Sequence, residues 1–486
     1  MTTSQMNNIF KNIIKTDQTD LKIGLVFLFF SFLTLNYLFL GNNFLIFLIF
    51  FFCVSIIIWD SPRAGILGIM LTVMIFGESF SLLPVQIGKQ VYKLYAMDLA
   101  MFLIFAFWFL QAKIMQRKLS LDIFDRKNIW LSIFFLVLFF SLLRSIFLQT
   151  DLTLAIGTFK NYAYLLIYFL ALNLFSSWKE IFRILRVLFF GGLLIIGFVF
   201  WGFLAGKGLW TESTPGLRYL SGLHTYYLTF SLILLFVGLA YNDYFRNKFS
   251  TGIIFVIQTA GVIGSMFRHL WLGFLCALFA MWLFMRKSEK KNILQQFSKL
   301  AFLGFFILIF FLWILLLSGK EIDFLNNSTL VSSIVKRAQT LTQTSYEMES
   351  AAGWRLSAWQ SASQEYLKSQ ILGIGLGKKI FLDYNNFLDL VDVRNIHNDI
   401  LSILIQVGII GFVPFLIFHC YLAKDLWTAL RKNEKNRQIL LAVAGFGIVA
   451  IFGAFFALYI SFTGTAIFYW MVMAMISIVV KLSQTK

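Results

Sequence analysis

What most restricts the fold of this chain is a succession of apolar runs of about 20 residues, each bounded by charge. A run of that length crosses the ~30 Å hydrocarbon core of a bilayer as a single helix. Fourteen are read, near 22–40, 43–59, 64–77, 95–112, 129–147, 159–175, 187–205, 223–241, 250–266, 268–285, 300–318, 397–422, 438–457 and 464–481. With 59% of its 486 residues hydrophobic and only 13% charged, a soluble chain of this size could not bury its apolar surface. A transmembrane β-barrel would alternate polar and apolar residues over segments of about ten, and no such alternation occurs. The expected fold is an all-α polytopic membrane protein of about 14 transmembrane helices.

The formal charge of +18 is explained by orientation and not by nucleic acid. Membrane proteins hold Lys and Arg in their short cytoplasmic loops. With the N-terminus inside, alternation places 26 of the 41 Lys and Arg on the cytoplasmic side. The short outside loops keep only Lys89, Lys93, Lys207, Arg218 and Arg268, while Arg144 and Lys160 sit within spans near the outer face. N- and C-termini are therefore expected in the cytoplasm, and the one long hydrophilic segment, 319–396, outside. The chain then divides into N-terminal helices (1–318, about 11 spans), a large periplasmic loop (319–396) and C-terminal helices (397–486, about 3 spans). The first 20 residues are polar and the first apolar run has no small-residue cleavage site, so it reads as a retained helix. Cys53, Cys276 and Cys420 all lie in apolar runs without metal-ligand spacing, as packing residues do.

Within the long loop, Leu330, Ile334, Val335, Ala338 and Leu341 fall at helical spacing, as do Leu356, Trp359, Tyr366 and Leu367. Two amphipathic helices over the bundle are expected, followed by a glycine-rich turn at Gly373-Ile374-Gly375-Leu376-Gly377.

His397 and Asn398 close this loop at the lip of the next apolar run. An ionisable group there costs several kcal/mol if it faces lipid, so it is expected to face a cavity and mark a functional site. An imidazole, with an unperturbed pKa near about 6.5, can act as general base on a hydroxyl. His224, His269 and His419 are read as interhelical hydrogen-bonding residues. Arg268 and Arg355 fall on the same side as His397, with Arg218 a third candidate; a guanidinium fork fits phosphate oxygens bidentately. There is no Walker loop, HExxH, GxSxG, DxD or paired-cysteine motif, so no metal and no cofactor are expected. A base beside an anion clamp, on a face without nucleotides, suggests transfer from a lipid-linked pyrophosphate.

These residues resemble the O-antigen ligase and polymerase superfamily of bacterial envelopes, in the family's order. Ser265-Met266-Phe267-Arg268 is similar to its Ser-Arg at a helix start, with two residues intervening. Gly353-Trp354-Arg355 through Trp359 resembles its Gly-Arg followed by Trp. Leu372-Gly373-Ile374-Gly375-Leu376-Gly377 resembles its Leu-Gly-x-Gly-x-Gly turn. His397-Asn398 with Leu401, Leu404, Gly408 and Gly411 resembles its His-Asn helix. The resemblance implies a metal-independent, inverting glycosyltransferase with a GT-C-like membrane fold in the bacterial inner membrane. Its donor would be an undecaprenyl-pyrophosphate-linked glycan. Its acceptor would be lipid A–core, a second lipid-linked glycan or a protein hydroxyl. His397 would be the base, supported by Asn398, and Arg268, Arg355 and Arg218 would hold pyrophosphate. The alternative is a transporter or flippase of lipid-linked oligosaccharide. Transporters, however, tend to place their polar groups near the bilayer midplane, whereas these candidates gather at one face.

Overall fold

The computed structural model describes residues 17–41, 43–87, 90–114, 125–205, 220–241, 248–265, 267–299, 350–384, 387–433 and 436–484. The chain divides into two compact units, Gln18–Ile181 with Ser345–Lys486, and Met1–Asp17 with Phe182–Thr344. The first opens with helices α1 (Gln18–Leu40), α2 (Phe44–Asp60), α3 (Pro62–Phe76) and the short α4 (Glu78–Ser81). A hairpin, β1 (Pro84–Ile87) and β2 (Gln90–Tyr95), leads into α5 (Ala96–Ile114), α6 (Asn128–Phe147), α7 (Leu152–Ala163) and α8 (Leu166–Leu174). Helix α9 (Trp178–Ala205) carries the chain into the second unit, which holds α10 (Gly222–Ala240), α11 (Lys248–Gly264) and α12 (Arg268–Phe284), then α13 at 287–299. The chain re-enters the first unit with α14 (Ser350–Leu367), a second hairpin of β3 (Lys379–Tyr384) and β4 (Phe387–Asp392), and a 3-10 turn over Val393–Asn395. Helices α15 (Asp399–Lys432), α16 (Arg437–Phe456) and α17 (Thr463–Gln484) complete it.

Among the described residues, nine helical segments are long and apolar enough to cross a membrane, α7 and α8 counting as one, and four more apolar helices are shorter. Together they account for every expected run except 300–318. That run, the loop helix expected near 330–341 and Arg218 lie outside the described residues. The helix starts follow local chemistry. Ser61 caps α3 by accepting from the Ala64 amide at 3.3 Å, and Pro62 takes the first helical position, where a missing N–H costs nothing. Asn43 caps α2 in the same way, accepting from Leu45 and Ile46. Close approach then fixes the packing. A Cβ on Gly68 of α3 would stand 2.5 Å from Val26 Cγ1 of α1, the small-residue contact typical of membrane bundles. Exposed apolar side chains such as Phe39, Phe52, Phe102 and Phe147 give the unit an outer face suited to lipid.

Neither hairpin was foreseen from the sequence. In the second, Phe381 pairs with Leu390 and Ile380 with Val391. Ile380 and Val391 turn inward, while Phe381 and Leu390 stay exposed, as the period-two alternation of a strand requires. The inward side joins Ala358 and Ala362 of α14, Ile374, Leu382, Val393, Ile396 and Ile405 of α15 in a small core, flanked by Trp354, Trp359, Tyr366 and Leu401. The described part of the long loop is thus folded around a core that includes the start of a membrane helix. Helix α14 forms as expected, but its buried stripe runs through Ala358 and Ala362. Leu356 and Leu367 are exposed; Leu356 stands two residues from Ala358, about 200° round the helix and so on its far side.

Candidate active site

The start of α15 is fixed from four sides. Asn398 is its N-cap, accepting from the Leu401 amide at 3.0 Å. The preceding residue, His397, has φ of +56°. That left-handed conformation is uncommon for a residue with a Cβ and persists only where its surroundings enforce it. The enforcement comes from α14: Trp359 Nε1 donates to the Ile396 carbonyl at 2.7 Å, and the Trp354 ring meets the His397 imidazole edge-on at 5.9 Å between centroids. Burial, and after it the positive charge of Arg355, lower the His397 pKa from 6.5 to about 4. The ring is therefore neutral at any physiological pH. Arg355 lies near the Tyr459 phenol as well, whose pKa burial pushes well up, so that hydroxyl stays protonated.

The third side is Asp399. Its carboxylate is fully buried and accepts from the amides of Ile460 and Ser461 and from the Ser461 hydroxyl. This joins the start of α15 to the 457–462 connection ahead of α17. Asn161 of α7 completes the joint, donating to the Ser461 carbonyl at 2.5 Å and accepting from Thr463 Oγ1 at 3.2 Å. Two turns further along α15, Gln406 Nε2 donates to Ser402 Oγ at 2.6 Å and to the Tyr162 hydroxyl at 3.3 Å. Arg394, in the 3-10 turn, pairs with Asp392 at 3.1 Å, and its Nη1 stands 3.7 Å from where a Cβ on Gly157 would lie.

The glycine-rich turn is the fourth side. Gly373, Gly375 and Gly377 all have φ between +70° and +89°, and each abuts a different helix. A Cβ on Gly373 would lie 2.4 Å from the Gln406 carbonyl oxygen of α15, on Gly375 3.1 Å from Ser145 Oγ of α6, and on Gly377 2.3 Å from the Ala155 nitrogen of α7. Where the turn crosses α15 the helix breaks, at Gly408 with φ of +65°. The backbone groups freed by the break are paired with the turn. Ile374 N donates to Ile405 O (2.9 Å), Gly375 N to Gln406 O (3.1 Å), Ile409 N to Gln370 O (3.0 Å) and Ile410 N to Ile371 O (3.2 Å). Arg144, in the last turn of α6, clamps the crossing by donating to Leu372 O at 2.9 Å, to Gly373 O, and to Ser369 Oγ at 3.2 Å. A glycine-rich turn invites a phosphate-binding reading. Here the amides of Ile374, Gly375 and Leu376 all donate to protein acceptors, the last to Ser145 Oγ at 2.7 Å, so the turn is a brace.

Of the sequence candidates, Arg355, His397 and Asn398 share one corner of the first unit. Arg268 belongs to the second, half-buried at the first position of α12. The turn ahead of it is tight: Ser265 Oγ donates to Val262 O at 2.6 Å and Trp271 Nε1 to the same carbonyl at 2.7 Å. Phe267, directly ahead of Arg268, donates its amide to Ser265 Oγ at 3.4 Å. His419 has both ring nitrogens engaged, with Phe415 O at 2.8 Å and the Tyr469 hydroxyl of α17 at 2.7 Å, the interhelical role expected of it. His224 bonds Ser221, the cap of its own helix, at 2.9 Å and stacks on Phe198 of α9, 4.9 Å between centroids. Sequence reasoning missed Asp399, Trp354 as a ring contact, and Arg144 as a clamp. For Asp399 a signal existed, since a carboxylate opening an apolar run must be paired or functional. Among the described residues no group of three or more His, Cys, Asp or Glu is placed to hold a metal ion.

The fold is that of a polytopic helical membrane protein, with a histidine and an arginine close together at the head of one membrane helix. Comparison with known families narrows that class: residues 253–416, about a third of the chain, match the family model described as O-Antigen ligase. This supports the O-antigen ligase/polymerase superfamily and a membrane glycosyltransferase-like enzyme of that type. No curated protein matches the chain.

Proposed function

We propose that this protein is an inverting, metal-independent glycosyltransferase that moves a glycan from an undecaprenyl-pyrophosphate donor to a hydroxyl acceptor at the periplasmic face of the bacterial inner membrane, with both termini in the cytoplasm. Lipid A–core and a second lipid-linked glycan are the acceptors that fit the family. The observation carrying the proposal is the neutral His397 imidazole beside Arg355 at the head of a membrane helix. In this reading the acceptor oxygen attacks the anomeric carbon from the face opposite the diphosphate. The bond from that carbon to the diphosphate oxygen breaks, and the acceptor proton passes to the free ring nitrogen of His397. Arg355 offsets the charge of the departing diphosphate, the electrostatic contribution that usually dominates such catalysis, and the family resemblance gives Arg268 and Arg218 the same role. Asn398 supports the base by holding the helix start.

The same pair explains how a weak base can serve. After burial, the charge of Arg355 is what lowers the basicity of His397. A pyrophosphate seated on the guanidinium cancels that effect, so donor binding raises the imidazole's affinity for a proton when it is needed. The test is His397→Asn and Arg355→Gln in the native host at matched membrane levels, with lipopolysaccharide and lipid-linked glycan resolved by gel. The expected result is loss of product with accumulation of donor. Full-length chains stranded on the carrier identify a ligase, and a core bearing one repeat unit identifies a polymerase. Unchanged glycans in His397→Asn would sink the assignment.

A further inference from the structure

The second unit carries a feature that glycan transfer does not use. Helix α13 follows α12 after a short bend and begins with Arg286-Lys287-Ser288-Glu289-Lys290-Lys291. One side of it is docked on its own unit. Ile293 is buried, Asn292 Nδ2 donates to the Ala240 carbonyl ending α10 at 3.2 Å, and the Phe297 ring packs edge-on against Phe255 of α11 at 5.7 Å. Glu289 turns inward and accepts from the Arg286 amide at 2.7 Å, closing the first turn.

The opposite side is different. Lys287, Lys290, Lys291, Leu294 and Ser298 follow helical spacing and, with Gln295 and Trp282 from the last turn of α12, line a cleft of about 590 Å3. The Lys290 ammonium stands over the Trp282 ring, 5.4 Å from its centroid. Among the described residues none of these three lysines has a carboxylate within ion-pair distance. Leu294 is 59% exposed in the same cleft. Positive charge that only fixes orientation need not converge on a hollow. Here three ammonium groups do, beside an indole at the end of a membrane helix and an exposed leucine. An anion with an apolar tail matches all of these groups at once, and a soluble anion leaves the leucine and the indole uncovered.

We propose that this cleft binds the headgroup phosphate of an anionic phospholipid, with its glycerol and upper acyl carbons against Trp282 and Leu294. The site does not depend on the transferase reading. Each lysine near an anionic surface contributes about a fivefold preference, so loss of all three should reduce binding by well over tenfold. The full chain in nanodiscs of phosphatidylcholine with about one-fifth phosphatidylglycerol, examined by native mass spectrometry, reads the lipid retained. Phosphatidylglycerol should be enriched on the wild type over its share of the disc. It should be lost from the Lys287→Gln, Lys290→Gln, Lys291→Gln triple variant and kept by a Lys424→Gln, Lys432→Gln control. Trp282→Leu, which leaves every loop charge in place and so cannot disturb insertion, should lower retention severalfold. Retention unchanged in both the triple variant and Trp282→Leu overturns the proposal. So does displacement of the lipid by millimolar glycerol phosphate, which would make the ligand a soluble phosphate.

Discussion

Replacing Gly408 with alanine tests whether the glycine-rich turn and the break in α15 form one brace. The added methyl would lie 2.2 Å from Ile371 O and 2.4 Å from Gly373 N. Both are backbone atoms, so no rotamer change relieves the contact. Restoring 3.4 Å to the nearer one requires about 1.2 Å of separation between turn and helix. That movement strains the four backbone hydrogen bonds that cross the break. Holding alanine at φ of +65° with ψ of −172°, a region open almost only to glycine, costs about 1–3 kcal/mol, and weakening two to four hydrogen bonds adds roughly 2–3 kcal/mol. The expected destabilisation is about 3–6 kcal/mol. Gly24→Ala, with nothing within 4 Å and an ordinary helical backbone, is the control and should raise stability by about 0.4–1 kcal/mol. The assay is denaturant unfolding of the two detergent-purified variants, with limited proteolysis of 368–378 as a local readout. If Gly408→Ala is as stable and as resistant as Gly24→Ala, the brace carries no strain-bearing contact and the reasoning fails.

His397→Asn should abolish transfer while keeping the fold, because asparagine tolerates left-handed backbone; His397→Val should also lose thermal stability, since a β-branched residue does not. Transfer by the wild type should hold level from about pH 8 down to 6 and fall as His397 protonates near its pKa of about 4. Arg355→Gln should raise the His397 pKa itself, read from the pH dependence of the imidazole NMR signals without turnover, and an unmoved titration would contradict the electrostatic coupling. Because this folded-state pKa lies below 6.5, the unfolded chain takes the proton first. The His397 contribution to stability is therefore complete above pH 6.5 and declines from there toward pH 4, which melting temperatures at fixed ionic strength will show. Asp399→Ala, which strands two amides and a hydroxyl, should cost about 2–4 kcal/mol, with Asp399→Asn milder. Tyr469→Phe removes one hydrogen bond to His419 and should cost about 1 kcal/mol without affecting glycans, read on the same gels.

The membrane helices were legible because lipid leaves the backbone no alternative: a long apolar run must satisfy its own hydrogen bonds. Helix α7 was placed late, read from 159 although it begins at Leu152, because Thr153, Gly157 and Thr158 dilute the hydropathy of its first turns. Asp151 is its N-cap and Lys160 is paired with Asp98, so neither charge is loose. The hairpins were missed because their strands are six residues or shorter and lack a turn dipeptide of the strong kind. At the site, His397 and Arg355 stood out by residue type. Asp399, Trp354 and Arg144 are understood only from what they touch, and those partners lie far away in sequence, Leu372 being 228 residues from Arg144.

That separation sets an order of assembly. At ribosomal rates of about 5–20 residues per second, Arg144 enters the membrane roughly 10–45 seconds before the carbonyl it will clamp exists. During that interval α6 and α7 must stand side by side with an open seam where the turn will lie, the guanidinium satisfied by water and lipid headgroups. The turn then arrives, and α15, made after the second hairpin, closes the seam. A helix pair that waits unfinished for most of its own synthesis is exposed to quality-control proteases at that seam, so lesions in residues 371–377 should lower the amount of protein in the membrane before they lower the activity of each molecule.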